Sequence, residues 1–277
     1  MPTPIGVAVL GAGRAGRARA RALQRSARAR LVRWLSRERP ESGTLADALA
    51  DPAVAALIVC TPNLLHAGAA RAALAAGRHV AVEFPLAASP AEARALFELA
   101  RRAGRVLHVE HIELLSPAQL WLRERARALG RPQSGVVRFS SDASGWIADP
   151  RLAGSPALGA LARLHRLVDL FGPGELRAAR LEEGAGPRRL EAELGFAAGG
   201  LVTLIEERAP GLARATEWSI ECARGRLDTP PPEPGGELFA RDLELFLDRI
   251  ESGAPSYLSE ARELEVLELV AAIEREL

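Results

Sequence analysis

Apolar residues follow two different rhythms along the chain, and the change of rhythm divides it. In the first third, short apolar runs such as "IGVAVL", "ARLVRWL", "AALIVC" and "HVAV" alternate with stretches where Ala and Leu recur at helical spacing. That alternation predicts repeated strand–helix units, hence a parallel sheet with helices on both faces. Ser89-Pro90-x-Glu92 predicts an N-cap, an N1 proline and a capping-box glutamate for a helix ending near Gly104. "GRVLHVEHIELL" then supplies a further strand.

Beyond about residue 112 the rhythm changes. Ser116-Pro117 predicts the start of a helix running to Gly130, "SGVVRFSSDA" a strand, and "PALGALARLHRLVDLFG" another helix. Four alternating stretches follow, "LRAARLEEG", "RRLEAELGFAAGG", "LVTLIEERA" and "ATEWSIECARG", joined by short Gly/Pro turns. Successive strands with such turns predict an antiparallel sheet. "TPPPEPGG" reads as a loop, and two helices close the chain. The reading is therefore an α/β domain over residues 1–112 and an α+β domain over residues 113–277.

Composition narrows the partners. The net charge is +1, so no global field recruits nucleic acid or a membrane surface. No apolar run approaches the ~18 residues of a membrane span, and no leader pattern precedes the first strand. A soluble cytoplasmic protein is the expectation, with no obligate protein partner indicated. Cys60 and Cys222 form no disulfide framework or zinc set, and Cys60 sits in an apolar run as a small buried thiol. The chain contains no lysine: all its 36 basic residues are arginine, a bias expected of GC-rich coding.

The first strand runs into Gly11-x-Gly13-x-x-Gly16 and a helix, the spacing of a Rossmann dinucleotide-binding turn. Gly11 allows the tight turn, Gly13 lets the backbone approach a pyrophosphate, and Gly16 permits close helix–strand packing. Arg14 and Ala15 open the helix whose free N–H groups would meet the phosphates. The second strand ends in Ser36-Arg37-Glu38-Arg39, where NAD readers usually place a lone acid. Ser36 and Arg37 suit a 2′-phosphate, so NADPH is expected, with Glu38 turned to solvent. The fourth strand ends in Glu83-Phe84-Pro85, a position that usually presents reacting groups but here offers no amine.

"CTPNLLHAGAARAALAAGRHVAVEFP" resembles the Gfo/Idh/MocA oxidoreductases, which join a Rossmann domain to a large open antiparallel sheet. The resemblance implies cofactor contacts from Thr61, Pro62, Asn63, His66 and Glu83. The chain departs from that family at its chemistry. Phe84 stands where the catalytic lysine is usual, and Ala162 and Arg166 replace the Asp and His of a later motif. Those groups ordinarily exchange a proton with a sugar hydroxyl, so ordinary sugar oxidation is not expected.

"GAGRAGRARARAL", "VEFPLAAS", "GRVLHVEHIELL", "RLVDLFG" and "IEERAPGLAR" together are similar to the biliverdin reductase A family, from the first strand to about residue 214. That resemblance implies NADPH-dependent hydride transfer to the C10 methine of biliverdin, with the proton going to a ring nitrogen. No resident lysine is then needed. Arg163 matches the family's arginine in its helix and is the expected catalytic cation. Arg166, at i+3, would hold a propionate, Phe84 would pack against the bilin, and Glu83, Glu110 and Glu113 match acidic residues of the family's active-site region. His165 reads as a packing residue. "HVEHIE" lacks the spacing of a helical zinc site, and no metal is expected. Two alternatives stay open: a reductase of another conjugated or cyclic-imine substrate, and a non-catalytic NADP-binding regulator.

Overall fold

The computed structural model describes residues 3–37, 40–184, 186–232 and 237–277. In chain order the first elements are β1 (Ile5–Leu10), α1 (Arg14–Arg25), β2 (Ala29–Leu35), α2 (Leu45–Ala50), β3 (Ala56–Val59), α3 (His66–Ala75), β4 (His79–Val82), α4 (Pro90–Ala103) and β5 (Leu107–Val109). Then come α5 (Pro117–Leu129), β6 (Pro132–Asp142), α6 (Pro150–Ala153), α7 (Pro156–Gly159) and α8 (Leu161–Phe171). Strands β7 (Gly174–Glu182), β8 (Arg188–Phe196), β9 (Leu201–Ala209), β10 (Ala215–Cys222) and β11 (Gly225–Asp228) precede the helices α9 (Leu238–Ser252) and α10 (Glu260–Glu276).

Two compact units result. The first joins the chain up to Ile112 with the segment Glu237–Glu260; the second joins Glu113–Gly236 with Ala261–Leu277. The sequence reading gave everything after residue 112 to the second domain. The segment carrying α9 instead belongs to the first, because Leu243, Phe246 and Leu247 pack with Val7, Val9, Leu23 and Ile58 in one core. An amphipathic helix goes wherever its apolar stripe finds a complementary face, and chain order does not record which face that is.

In the first unit, five parallel strands run in the order β2-β1-β3-β4-β5. Strands β3 and β4 are almost wholly buried, as expected of apolar runs covered on both faces. Ser89 Oγ accepts the Glu92 N–H and caps α4. The Glu92 carboxylate does not complete a capping box; it pairs with Arg71 at 3.6 Å. The strand expected through "GRVLHVEHIELL" stops at Val109, and the chain coils into a 3-10 turn at Ile112–Leu115. His108, Glu110 and His111 are all buried.

The second unit holds a six-stranded sheet in the order β11-β10-β6-β9-β8-β7. It is antiparallel except at its centre, where β6 and β9 run parallel. The expected all-antiparallel sheet fails there because β6 is followed by three helices, and this long connection lets it insert beside β9 in the same direction. The helix expected from Pro156 to Phe171 is broken at Ala160 into α7 and α8. Every residue of α8 from Leu161 to Val168 is buried, including Arg163, His165 and Arg166.

Candidate active site

Leu10 at the end of β1 lies opposite Val59 at the end of β3, where the strand order reverses. Open α/β sheets bind ligands outside the carboxyl ends of their strands at such a point. Gly11 has φ +113°, and a Cβ there would lie 2.3 Å from the Cys60 carbonyl oxygen. A Cβ on Gly16 would lie 2.1 Å from the Gly11 carbonyl oxygen, whereas one on Gly13 would meet nothing within 4 Å. Two glycines are thus required by the turn itself, and the third keeps the space before α1 open. The first helical bond runs from Arg17 N–H to Gly13 C=O at 3.0 Å, so the N–H groups of Arg14, Ala15 and Gly16 have no acceptor inside the helix. This arrangement fits a dinucleotide pyrophosphate.

The surrounding loops are held firmly. Trp34 Nε1 donates to the Gly11 carbonyl at 2.9 Å. The His66 ring spans two carbonyls, with Nε2 at 2.7 Å from Thr61 O and Nδ1 at 2.8 Å from Pro85 O. Burial pushes this imidazole below its ordinary pKa, against the pull of those carbonyls. Thr61 Oγ1 is buried without a hydrogen-bond partner among the described residues, a hydroxyl suited to a ligand amide or phosphate. Pro62 leads into the turn Asn63–Leu65. Ser36 N–H donates to Ser42 Oγ at 3.4 Å, and Arg37 is exposed; Glu38 lies outside the described residues.

Glu83 and Glu110 leave the same edge of this sheet. Glu83 N–H continues the ladder to Val59 O at 3.0 Å, and Glu110 N–H to Val82 O at 2.9 Å. Arg19 Nε donates to Glu83 Oε1 at 2.8 Å. Glu110 Oε1 accepts the Ile112 N–H at 2.7 Å, while Oε2 is buried with no partner among the described residues. Burial, then the nearby Glu83 carboxylate, pushes the Glu110 carboxyl well above its ordinary range, with Arg19 opposing. That direction favours the protonated form of the carboxyl. The Phe84 ring stacks on His111, centroids 5.5 Å apart and 15° from parallel.

In the second unit, the expected catalytic cation Arg163 is already engaged. Its Nε and Nη2 donate to the Glu206 carboxylate at 2.5 and 3.1 Å, and Nη2 also meets the Gly159 carbonyl. Its guanidinium lies 4.0 Å over the Phe139 ring; Phe139 and Glu206 are partners across β6 and β9. Arg208 shares both Glu206 and Gly159, at 3.1 and 3.0 Å. Arg214 stands 5.1 Å from the same ring and donates to Glu113 at 2.6 Å. Arg166 donates to Gln119 Oε1 at 2.8 Å, lies 4.9 Å over the Trp218 ring and reaches Glu113 at 3.9 Å. His165, read as a packing residue, is buried and 3.1 Å from Glu263.

The result is a cluster of four arginines against two glutamates, floored by aromatic rings. Sequence reasoning found Arg163, Arg166 and Glu113 but missed Glu206, Arg208, Arg214 and Gln119. A signal existed for three of these, since "IEERAPGLAR" was recognised as a family motif without a role being given to its charges. Nothing in the sequence marked Gln119, which reads as an ordinary helical residue.

Comparison with known proteins agrees with this division. Residues 5–111 match the oxidoreductase family with an NAD-binding Rossmann fold, and residues 133–234 match the biliverdin reductase catalytic domain. The chain is thus an oxidoreductase built on a nucleotide-binding sheet. Biliverdin reductase A of Mus musculus is 33% identical over 98% of this chain and 95% of its own length, and that of Homo sapiens 32% over 88% and 86%. The chain belongs to the biliverdin reductase A family. The solved biliverdin reductase of Synechocystis sp. PCC 6803, in complex with biliverdin and NADP+, superposes with a TM-score of 0.87 at 25% identity, covering 99% of both chains.

Proposed function

We propose that this protein is an NADPH-dependent reductase that converts biliverdin to bilirubin by hydride addition at the C10 methine. The observation that carries the reading is the arginine cluster around Phe139. A linear tetrapyrrole with two propionates asks for cations beside flat apolar surface, and four guanidiniums against two carboxylates, over Phe139 and Trp218, leave positive charge to receive it. The similarity to biliverdin reductases over almost the whole chain supports the same substrate.

The cofactor, when bound, supplies the hydride. The residues suited to hold it are the turn Gly11 to Gly16 for the pyrophosphate, Ser36 and Arg37 for a 2′-phosphate, and Thr61, Pro62, Asn63 and His66 along the neighbouring loop. Hydride addition to C10 spreads negative charge through the conjugated pyrroles, and a ring nitrogen then takes a proton. Arg163 stabilises that charge; the Nη1 of its guanidinium makes no hydrogen bond among the described residues. Arg166 and Arg214 take the propionates, with Glu113 orienting both. Glu110, whose carboxyl burial and Glu83 push upward, stands at the same strand edge as Glu83, and Phe84 offers an apolar ring in place of an amine. Two free, buried thiols, Cys60 and Cys222, are in keeping with work in a reducing cytoplasm. Among the described residues no helix is long and apolar enough to cross a membrane.

Mixing purified protein, NADPH and biliverdin, and following the bilin and NADPH absorbances together, tests this. One NADPH consumed per bilin reduced is the expected result. Tight NADPH binding with no bilin turnover would overturn the reading in favour of a regulator or a different substrate.

A further inference from the structure

Arg19 lies on α1, on the helix of the glycine turn, yet it is 1% exposed. Its Nε donates to Glu83 at 2.8 Å and its Nη1 to Asp242 of α9 at 2.6 Å. Its guanidinium sits 4.9 Å over the Phe239 ring and reaches the Phe239 carbonyl at 3.4 Å. Asp242 is itself fully buried, and its Oδ1 accepts from Tyr257 Oη at 2.8 Å and pairs with His108 Nε2 at 3.0 Å. Tyr257 Oη in turn accepts the His111 N–H at 2.7 Å, and the ring of His111 is the one that stacks on Phe84. One buried chain of hydrogen bonds therefore grips both residues of the Glu83-Phe84 pair, the carboxylate directly and the ring through His111.

We propose that Arg19 is a positioning residue of the reductase, which with Asp242 and Tyr257 fixes the Glu83 carboxylate and the Phe84 ring at the end of β4. This rests on the functional reading above. Three observations favour it over simple core filling. A buried ion pair between α1 and α9 is a poor source of stability, because desolvation of both charges offsets their attraction, and an apolar pair of equal volume would serve a core as well or better. Asp242 uses both carboxylate oxygens on partners from different elements, so the network has a defined geometry. Finally, one arm of it ends on a carboxylate at the strand edge, 12% exposed, and not inside the core.

The electrostatics agree with the geometry. Burial raises Asp242, but Arg19 and His108 outweigh it and hold the carboxyl well below the usual range. Burial lowers Arg19, but Asp242, Glu83 and Glu110 outweigh it and keep the guanidinium charged. Burial, then Asp242 and Glu110, pushes the Tyr257 hydroxyl well above its ordinary value, so it remains a donor. Arg19 and Tyr257 donate to Asp242, and the His111 amide donates to Tyr257.

The experiment compares Arg19→Met, Arg19→Lys and Tyr257→Phe with the parental protein. Single-turnover hydride transfer, NADPH affinity and thermal melting are measured for each. Arg19→Met is expected to lose about a hundredfold in the transfer rate at saturation, the scale of a small misplacement of reacting groups. Its NADPH dissociation constant should change far less than the rate, because only Glu83 among the partners of Arg19 is an expected cofactor contact and none belongs to the pyrophosphate turn. Arg19→Lys should recover part of the rate, keeping the charge but not the two-armed fork. Tyr257→Phe removes only a hydroxyl; it should fold, transfer hydride roughly three- to tenfold more slowly, and exchange the His111 amide proton faster. A network that only fills the core would lower the melting temperature and leave the rate per folded molecule unchanged. Parental rates in folded Arg19→Met, or in Tyr257→Phe where Arg19→Met does not fold, overturn the proposal, as does unchanged His111 exchange. Failure of the functional reading is seen separately, as absence of biliverdin reduction by the parental protein.

Discussion

Arg163 and Glu206 form an ion pair that is 3% and 2% exposed, with Nε 2.5 Å from Oε1. The residue expected to act on substrate charge is therefore also a structural partner, and its two roles can be separated. Arg163→Ala should lower turnover by about two to three powers of ten, the usual cost of losing one preorganised charge donor. It should also cost about 3–5 kcal/mol of stability by stranding the Glu206 carboxylate, less whatever Arg208 recovers. Replacing the pair with apolar residues, Arg163→Met with Glu206→Leu, should recover part of the melting temperature, since Arg208 then loses its Glu206 contact, and leave turnover low. A double variant that regains turnover would remove Arg163 from the chemistry.

The three glycines of the first turn should fail in different ways. Gly13→Val points a side chain into open space, so the protein should fold normally and lose NADPH binding. Gly11→Ala and Gly16→Ala each drive a Cβ to within about van der Waals overlap of backbone oxygen, at 2.3 and 2.1 Å, and should lower the melting temperature. Equilibrium binding of NADPH alongside thermal melting checks both. Retained affinity in Gly13→Val would sink the pyrophosphate assignment.

What was legible in the sequence was local. The glycine turn, the Ser89 and Ser116 caps and the buried strands β1, β3 and β4 follow from spacing within a few residues. What was not legible depended on partners far along the chain. The return of α9 to the first sheet is decided by the fit of Phe246 and Leu247 to a core built from residues far earlier in the chain, Val7 to Ala81. The parallel pairing of β6 with β9 is decided by where a long connection lets β6 insert. Arg163 looked like a free cation because Glu206, its partner, lies 43 residues on, in strand β9. Charges announce themselves in a sequence; their neutralising partners do not.

Cofactor choice gives a third test. With Ser36 and Arg37 at the end of β2 in place of a lone acid, Arg37→Ala should raise the NADPH Michaelis constant roughly ten- to a hundredfold, the worth of one charge-assisted hydrogen bond. The NADH constant should stay nearly the same, because that cofactor has no phosphate there. Equal losses with both would show that Arg37 does not read the 2′-phosphate.

Glu110 gives a pH signature. Its folded-state pKa is raised by burial, then by Glu83, with Asp242 adding and Arg19 opposing. The folded protein therefore holds a proton that the unfolded chain releases at the ordinary carboxylate value. Stability from this site is fully present below that value and is lost as pH rises through the raised one. Glu110→Gln, a neutral isostere, cannot lose a proton. Melting temperatures of parental protein and variant should converge at acid pH, and the parental protein should fall behind as pH rises. Parallel curves would show that the folded and unfolded states hold this proton equally.

The last prediction concerns how the arginine cluster divides its work. Arg166 and Arg214 both approach Glu113, at 3.9 and 2.6 Å, but Arg166 is buried over Trp218 while Arg214 is 53% exposed. A propionate bound here keeps its charge through the reaction, so its contacts are equally strong in ground and transition states. Such contacts change the Michaelis constant and leave turnover alone. Arg166→Ala and Arg214→Ala should therefore each raise the biliverdin Michaelis constant with turnover within about threefold, Arg166→Ala more strongly, because a buried guanidinium is less screened than one facing water. Biliverdin dimethyl ester separates this from indirect damage, since esterification removes the propionate charges and leaves the conjugated chain intact. The parental enzyme should bind the ester more weakly than biliverdin, and the two variants should bind it no worse than the parental enzyme does. If either variant loses as much affinity for the ester as for biliverdin, its arginine supports the pocket wall and does not hold a propionate.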